Sequence, residues 1–207
     1  MKEKNKEKLQ IDENIQFYNA NAKTFAANTF SVDFSQIQKE FLNILPPGAH
    51  ILDFGCGSGR DTRYFLEHGY KVDAIDGSLE LCKLASAHTG IKVRQMLFQE
   101  LQERERYDGI WACASILHVA KNELPDILQR MYNALKQNGI IYASFKYGEF
   151  EGVRNGRYFS DFTEGSFCKM VKGIRGLVIE KMWITGDVRD GREEEKWINI
   201  ILRREMR

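Results

Sequence analysis

Three glycines at alternate positions, Gly55, Gly57 and Gly59, stand between two carboxylates, Asp53 and Asp61, and a third acid, Asp76, follows 17 residues after Gly59. A backbone without Cβ turns sharply and lets a ligand come close, so such a turn is suited to holding something against the main chain. Phosphate is one candidate. A P-loop requires Gly-Lys-Ser/Thr, however, and Gly59-Arg60-Asp61 stands here. A dinucleotide fingerprint requires its third glycine where Arg60 is found. Carboxylates on both sides of the turn would repel a pyrophosphate and attract a cation such as an ammonium group. Asp76 is placed to accept both hydroxyls of a ribose. The chemistry implied is capture of a nucleoside with a positive, non-phosphate tail.

Two other groups of residues could do chemistry. His118 has an ordinary pKa near neutrality and follows a strand, which makes it the leading general base if one is needed, with a packing role as the competing account. Arg154, Arg157, Tyr158, Asp187, Arg189, Asp190 and Arg192 crowd two late segments. Clustered arginines suit a carboxylate or phosphate on a second ligand, while solvated loop charge is the plainer reading of most of them. Arg157, Tyr158 and Arg189 are the residues expected on that side.

These side chains need elements to position them. Ile51 to Phe54 reads as a buried strand, Asp61 to Leu66 as the start of a helix, and Tyr70 to Ile75 as a second strand delivering Asp76. The helix's unpaired N–H groups then face the turn. Ser78 to Ser86 has helical periodicity, Ile91 to Leu97 and Tyr107 to Ala114 are strand candidates, and Leu124 to Leu135 is an amphipathic helix closed by Asn138-Gly139. Ile140 to Phe145 is the fifth strand. Before this core, Met1 to Gln10 reads as a solvated tail and two helices follow, one carrying Ile15, Tyr18, Ala22 and Phe25 and one ending at Pro46-Pro47. After it come a glycine- and arginine-rich loop over 153–160, a helix over 162–172, and strands over 177–185 and 196–203 joined by a polar turn. The expected fold is α/β: a doubly wound, Rossmann-like seven-stranded sheet, mostly parallel with an antiparallel C-terminal hairpin and an N-terminal helical cover. The chain is expected to form one domain over 1–207, with the tail and cover in 1–46, the ligand-binding core in 47–147 and the second-ligand side in 148–207.

Bulk properties exclude several functions. Thirty basic against twenty-nine acidic residues give no field for nucleic acid or an anionic membrane. The start of the chain is charged rather than apolar and no run approaches a membrane span, so a cytoplasmic location is expected. Four scattered cysteines show neither a zinc spacing nor a disulfide framework, and no metal is expected.

DFGCGSGRD followed by AIDGS resembles the motifs of class I S-adenosylmethionine-dependent methyltransferases, and YNANAKTF and ASILHV resemble segments of their small-molecule, type-11-like members. The resemblance covers nearly the whole chain. It implies S-adenosyl-L-methionine as cofactor and methyl transfer to a small-molecule acceptor, with no nucleic acid or membrane partner. Asp53, Gly55, Gly57 and Asp61 match the positions around the methionine moiety, with Cys56 among the cofactor-binding residues of the same turn, and Asp76, Gly77 and Ser78 match those around the adenosine. Met96, Leu97 and Phe98 would flank the adenine, Leu97 standing where the family usually has an acid. Cys113, Ala114 and Ser115 would lie near the sulfonium, with Tyr18 and Phe25 covering the ligand. A non-catalytic S-adenosylmethionine or S-adenosylhomocysteine-binding regulator would carry the same motifs, and an NAD-linked oxidoreductase is a third possibility.

Overall fold

The computed structural model describes residues 2–189, 191–192 and 194–205, with side chains from residue 9 onward. Seven strands form one sheet in the order β3-β2-β1-β4-β5-β9-β8. These are β1 (His50–Phe54), β2 (Lys71–Asp76), β3 (Arg94–Gln95), β4 (Tyr107–Ala112), β5 (Leu135–Lys146), β8 (Leu177–Gly186) and β9 (Lys196–Arg204). The first five are parallel, and β9 enters antiparallel between β5 and the edge strand β8. The strand order reverses between β1 and β4, and open α/β sheets place their ligands beyond the carboxyl ends of such strands.

Alternation along the strands builds two cores. Leu52, Phe54, Ile110, Ala112, Ile141 and Ala143 face one way, onto α5 (Leu124–Ala134) and α6 (Glu164–Val171). Ile51, Trp111, Ile140, Tyr142 and Ile201 face the other, onto α2 (Ser35–Leu42) and α3 (Arg60–Glu67). The period of two in a pleated strand makes this division obligatory. Each large apolar side chain buried in this way contributes about 1.5–3 kcal/mol. Trp111 stacks on Tyr142 with ring centroids 4.1 Å apart.

Four expectations need correction. The segment read as a solvated tail is helical, because α1 runs unbroken from Lys2 to Ala27. Lys, Glu and Gln are strong helix formers and no Gly or Pro interrupts them. The third strand shrinks to Arg94–Gln95. Asn138-Gly139 does not cap α5, which ends at Ala134 as Leu135 turns extended and pairs with Tyr107. Asn138 instead takes a positive φ of 60° inside the segment leading into the sheet. Finally, the loop over 153–160 is a two-stranded hairpin, β6 (Glu151–Arg154) and β7 (Arg157–Ser160). Asn155 and Gly156 at its tip both have positive φ, as a tight primed turn demands.

Candidate functional site

The carboxyl ends of β1, β2, β4 and β5 open into a cavity of about 550 Å³, covered by α1 and the β6–β7 hairpin. Its floor is the glycine turn. Gly55 and Gly57 have φ of 90° and 56°, and the N–H groups of Gly55 and Cys56 both donate to the Ile75 carbonyl at 3.0 and 2.9 Å. Asp76 locks this turn to the next. Its Oδ2 accepts from Gly57 N at 2.9 Å and its Oδ1 from Ser78 N at 2.8 Å. Burial raises the Asp76 pKa, and these two N–H groups oppose the rise. Ser78 then caps α4 (Leu79–Thr89), its Oγ accepting from Leu81 N and donating to Asn19 Oδ1 at 2.7 Å. Gly59 has a different task, since a Cβ there would meet Thr89 Cγ2 at 2.8 Å and Ala85 Cβ at 3.1 Å. It lets α3 and α4 approach.

The cavity has an acid at one end and a charged pair at the other. Near Asp76, Met96, Leu97 and Phe98 form an apolar slot. At the opposite end Asp61 accepts from Arg60 Nε at 2.7 Å, Gln38 Nε2 at 2.7 Å and Trp111 Nε1 at 2.8 Å. Burial acts to raise the Asp61 pKa, but Arg60 and these donors bring it below the usual value. An acid for a diol, an apolar slot for a base, and both signs of charge for an amino-acid end form a donor set that fits S-adenosylmethionine. Charge around the turn is distributed differently from the two bare carboxylates expected, however. Asp53 is 2% exposed and does not border the cavity, its Oδ2 accepting from Thr62 Oγ1 at 2.5 Å. Burial, and then the Asp61 charge, push its pKa up to about 8. Asp61 is offset by Arg60, whose guanidinium also lies over Phe34 at 4.7 Å. The turn therefore presents a compensated pair instead of two bare carboxylates, because Arg60, read only as a missing glycine, folds back on its neighbour.

Gly77, Cys113, Ala114 and Ser115 also border the cavity, as do Tyr18 and Phe25 from α1. Ser115 Oγ donates to the Phe54 carbonyl at 2.6 Å, and Ala114, at a φ of 48°, donates its N–H to Ser144 Oγ at 2.9 Å. Burial raises the Cys113 thiol to about 12 and the Cys56 thiol well above its ordinary value, so neither provides a thiolate.

His118 lies within the cavity wall in a hydrogen-bonded chain. Its Nδ1 is 2.6 Å from the Tyr158 carbonyl, which can only accept, so Nδ1 carries the proton. Nε2 is then the acceptor for Tyr18 Oη at 2.7 Å, and Tyr18 Oη in turn accepts from Arg157 Nη1 at 3.3 Å. Asn14 pins α1 to this group, donating to the His118 carbonyl at 3.4 Å and accepting from Tyr158 N at 2.9 Å. The premise that His118 titrates near neutrality fails. Burial, with a contribution from Arg157, lowers its pKa from 6.5 to about 4. A histidine whose folded pKa is depressed loses stability as pH falls from its unfolded value to its folded one, because the unfolded chain binds the proton first. Wild-type stability in urea is therefore expected to fall between about pH 6.5 and 4, relative to His118→Gln at the same pH values. Parallel loss in both proteins would contradict the assignment.

On the acceptor side, Arg157 and Arg189 border the cavity but Tyr158 does not. Its hydroxyl donates to Glu151 at 2.9 Å, because alternation along β7 turns it away from its neighbours. Arg189 donates to both oxygens of Asp187, at 2.8 and 2.5 Å. Asp190 lies outside the described residues. Asn14, Arg60, Lys146, Asp187 and Trp197 all border the cavity. No motif pointed to Asn14 and none gave Arg60 a role, whereas Asn155-Gly156 is a direct hairpin signal that places Arg157.

Comparison with known proteins follows the same lines. Residues 51–139 match the family model described as "Methyltransferase domain". A ubiquinone biosynthesis O-methyltransferase of Rhodopseudomonas palustris is 34% identical over 99 residues, covering 45% of this chain and 38% of that protein. An N-terminal Xaa-Pro-Lys N-methyltransferase 1 of Xenopus tropicalis is 30% identical over 137 residues, covering 62% of this chain and 58% of that protein. The chain thus spans less than two thirds of the length of these curated relatives. The fold is shared with the Burkholderia thailandensis 1,6-didemethyltoxoflavin-N1-methyltransferase, solved with 1,6-didemethyltoxoflavin and S-adenosylhomocysteine, at a TM-score of 0.67 and 22% identity over 94% of this chain and 83% of that one. Among the described residues no helix is long and apolar enough to cross a membrane, and no group of three or more His, Cys, Asp or Glu could hold a metal.

Proposed function

We propose that this chain, which belongs to the class I S-adenosylmethionine-dependent methyltransferases, methylates a small-molecule acceptor admitted to the cavity beside Tyr18 and His118. The observation that carries the reading is one continuous cavity of about 550 Å³ joining Asp76 to the Tyr18–His118–Arg157 chain. That volume is in the range of small-ligand sites of about 300–1,000 Å³. S-adenosylmethionine, when bound, supplies an electrophilic methyl group on a sulfonium.

The chain's own residues then have three tasks. Asp76, the glycine turn and the Met96–Phe98 slot hold the nucleoside, while Arg60 and Asp61 match the charged amino-acid end. The covering helix and hairpin exclude water and align the acceptor, and positioning alone supplies effective molarities of about 10⁵ M or more in well-oriented systems. An acceptor O–H or N–H must also lose its proton. Tyr18 Oη can take that proton while passing its own to His118 Nε2, the ring nitrogen left unprotonated by the Tyr158 carbonyl. His118 is in this reading a weak base whose contribution is secondary to positioning.

The test is transfer of label. Protein incubated with methyl-labelled S-adenosylmethionine and a small-molecule extract is expected to yield labelled low-molecular-weight product. Label only in protein would overturn the small-molecule acceptor. Binding of S-adenosylhomocysteine with no transfer to any fraction would favour a regulator instead.

A further inference from the structure

The cations around the acceptor end of the cavity are not equivalent. Arg154 donates to both oxygens of Asp161 at 2.9 and 2.8 Å, and Arg189 to both oxygens of Asp187. Arg192 is 3.4 Å from Glu195, and Lys146 is bound by Glu195 and lies 3.2 Å from Asp187. At the far end Arg60 is paired with Asp61. Arg157 has no carboxylate within ion-pair distance among the described residues. It lies against rings instead, 4.8 Å from the Phe17 centroid, 5.8 Å from Tyr18 and 5.2 Å from Phe159. Its Nη1 donates to Tyr18, and its Nε is buried with no partner.

We propose that the acceptor carries a carboxylate and that Arg157 holds it, next to the Tyr18–His118 pair. The inference rests on the methyl-transfer reading for the word acceptor, but the anion site stands on its own geometry. A half-buried guanidinium faced by aromatic rings is attracted to them, but it retains one uncompensated charge and an unmet donor. Since Nη1 is committed to Tyr18, the edge of Nε and Nη2 is left without a partner; Nη2 can meet a carboxylate oxygen directly, and Nε, enclosed as it stands, completes the pair of parallel donors once the side chain turns toward the anion. One unpaired guanidinium also fits a singly charged group better than a phosphate dianion, because the other arginines lining this end, and Lys146, are already paired. The aromatic faces of Phe17, Tyr18 and Phe159 favour a flat body behind the anion. An anion there would also offset the influence of Arg157 on His118, so that arrival of the acceptor strengthens the base.

Benzoate, phenyl phosphate and benzamide test the site as a carboxylate, a phosphate and a neutral counterpart. Each is titrated into protein saturated with S-adenosylhomocysteine and followed by ligand-observed NMR. Benzoate is expected to bind more tightly than the other two, and at least about fivefold more weakly to Arg157→Gln, with partial recovery in Arg157→Lys. S-adenosylhomocysteine affinity should be unchanged in both variants, which shows that they fold. Equal binding of benzoate and benzamide, including none of either, overturns the proposal, as does wild-type benzoate affinity in Arg157→Gln. Tighter binding of phenyl phosphate overturns the carboxylate assignment. Benzoate binding with no label transfer in the extract experiment would sink the methyl-transfer reading and leave the anion site in place.

Discussion

Asp76→Ala is expected to weaken S-adenosylhomocysteine binding by on the order of 100-fold, measured by calorimetric titration. A hydrogen bond to a charged group is worth about 1.5–3 kcal/mol, and in the proposed nucleoside site this carboxylate would accept two ribose hydroxyls, so the expected combined loss is about 3 kcal/mol. The structure adds a second consequence that the motif alone did not carry. Asp76 also accepts the N–H groups of Gly57 and Ser78, and truncation leaves both without that acceptor. The alanine variant should therefore lose about 1–3 kcal/mol of stability as well. Asp76→Asn separates the two effects, since its amide oxygen preserves one of the backbone bonds and one ribose contact. Its affinity should fall by on the order of tenfold, with most of the stability retained. Wild-type affinity in both variants would remove Asp76 from the nucleoside site.

Gly55→Ala should be the most damaging single methyl that can be added to the chain's central turn. An added Cβ would lie 2.5 Å from Ser115 Cβ and 3.1 Å from Phe98 Cζ, at a φ of 90° that L residues avoid. The left-handed backbone costs about 1–2 kcal/mol and the overlap about 1–3 kcal/mol more. In a chain of this length the sum lowers the melting temperature by roughly 10 °C, and cofactor affinity falls because Ser115 and Phe98 both border the cavity. Gly69→Ala is the control. It shares a positive φ of 83° but has no atom within 4 Å of the added carbon, so it should show the backbone cost alone. Equal melting temperatures for the two variants would show that the crowding at Gly55 is relieved without cost.

Local rules made much of the architecture legible. The apolar runs Ile51 to Phe54 and Ile140 to Phe145, the helical periodicity of Ser78 to Ser86 and the spacing of helices and strands were enough to expect the parallel core and its terminal hairpin, and the strand order agrees. Boundaries were less legible where pairing overrode local preference. Leu135 left its helix to join Tyr107, and residues 91–97 formed only two residues of strand. The N-terminal segment failed in the other direction, because propensity carried the helix back to Lys2.

For the site, the sequence by itself determined the glycine turn, the acid at the end of the second strand and the late cluster of arginines, because each depends on residue type at short spacing. What only the tertiary structure decided is how charge is distributed among them. Asp53 turned away from the cavity since its strand face is the α3 face, and Asp61 was answered by Arg60, Gln38 and Trp111 from three separate elements. His118, neutral-range in isolation, became a weak base by burial between Tyr18 and the Tyr158 carbonyl, partners 100 and 40 residues away. Arg157 was distinguished from the neighbouring arginines only because the fold gave each of the others a carboxylate. Electrostatic pairing and desolvation depend on distances across the folded chain, and these are quantities that no local pattern of residues encodes.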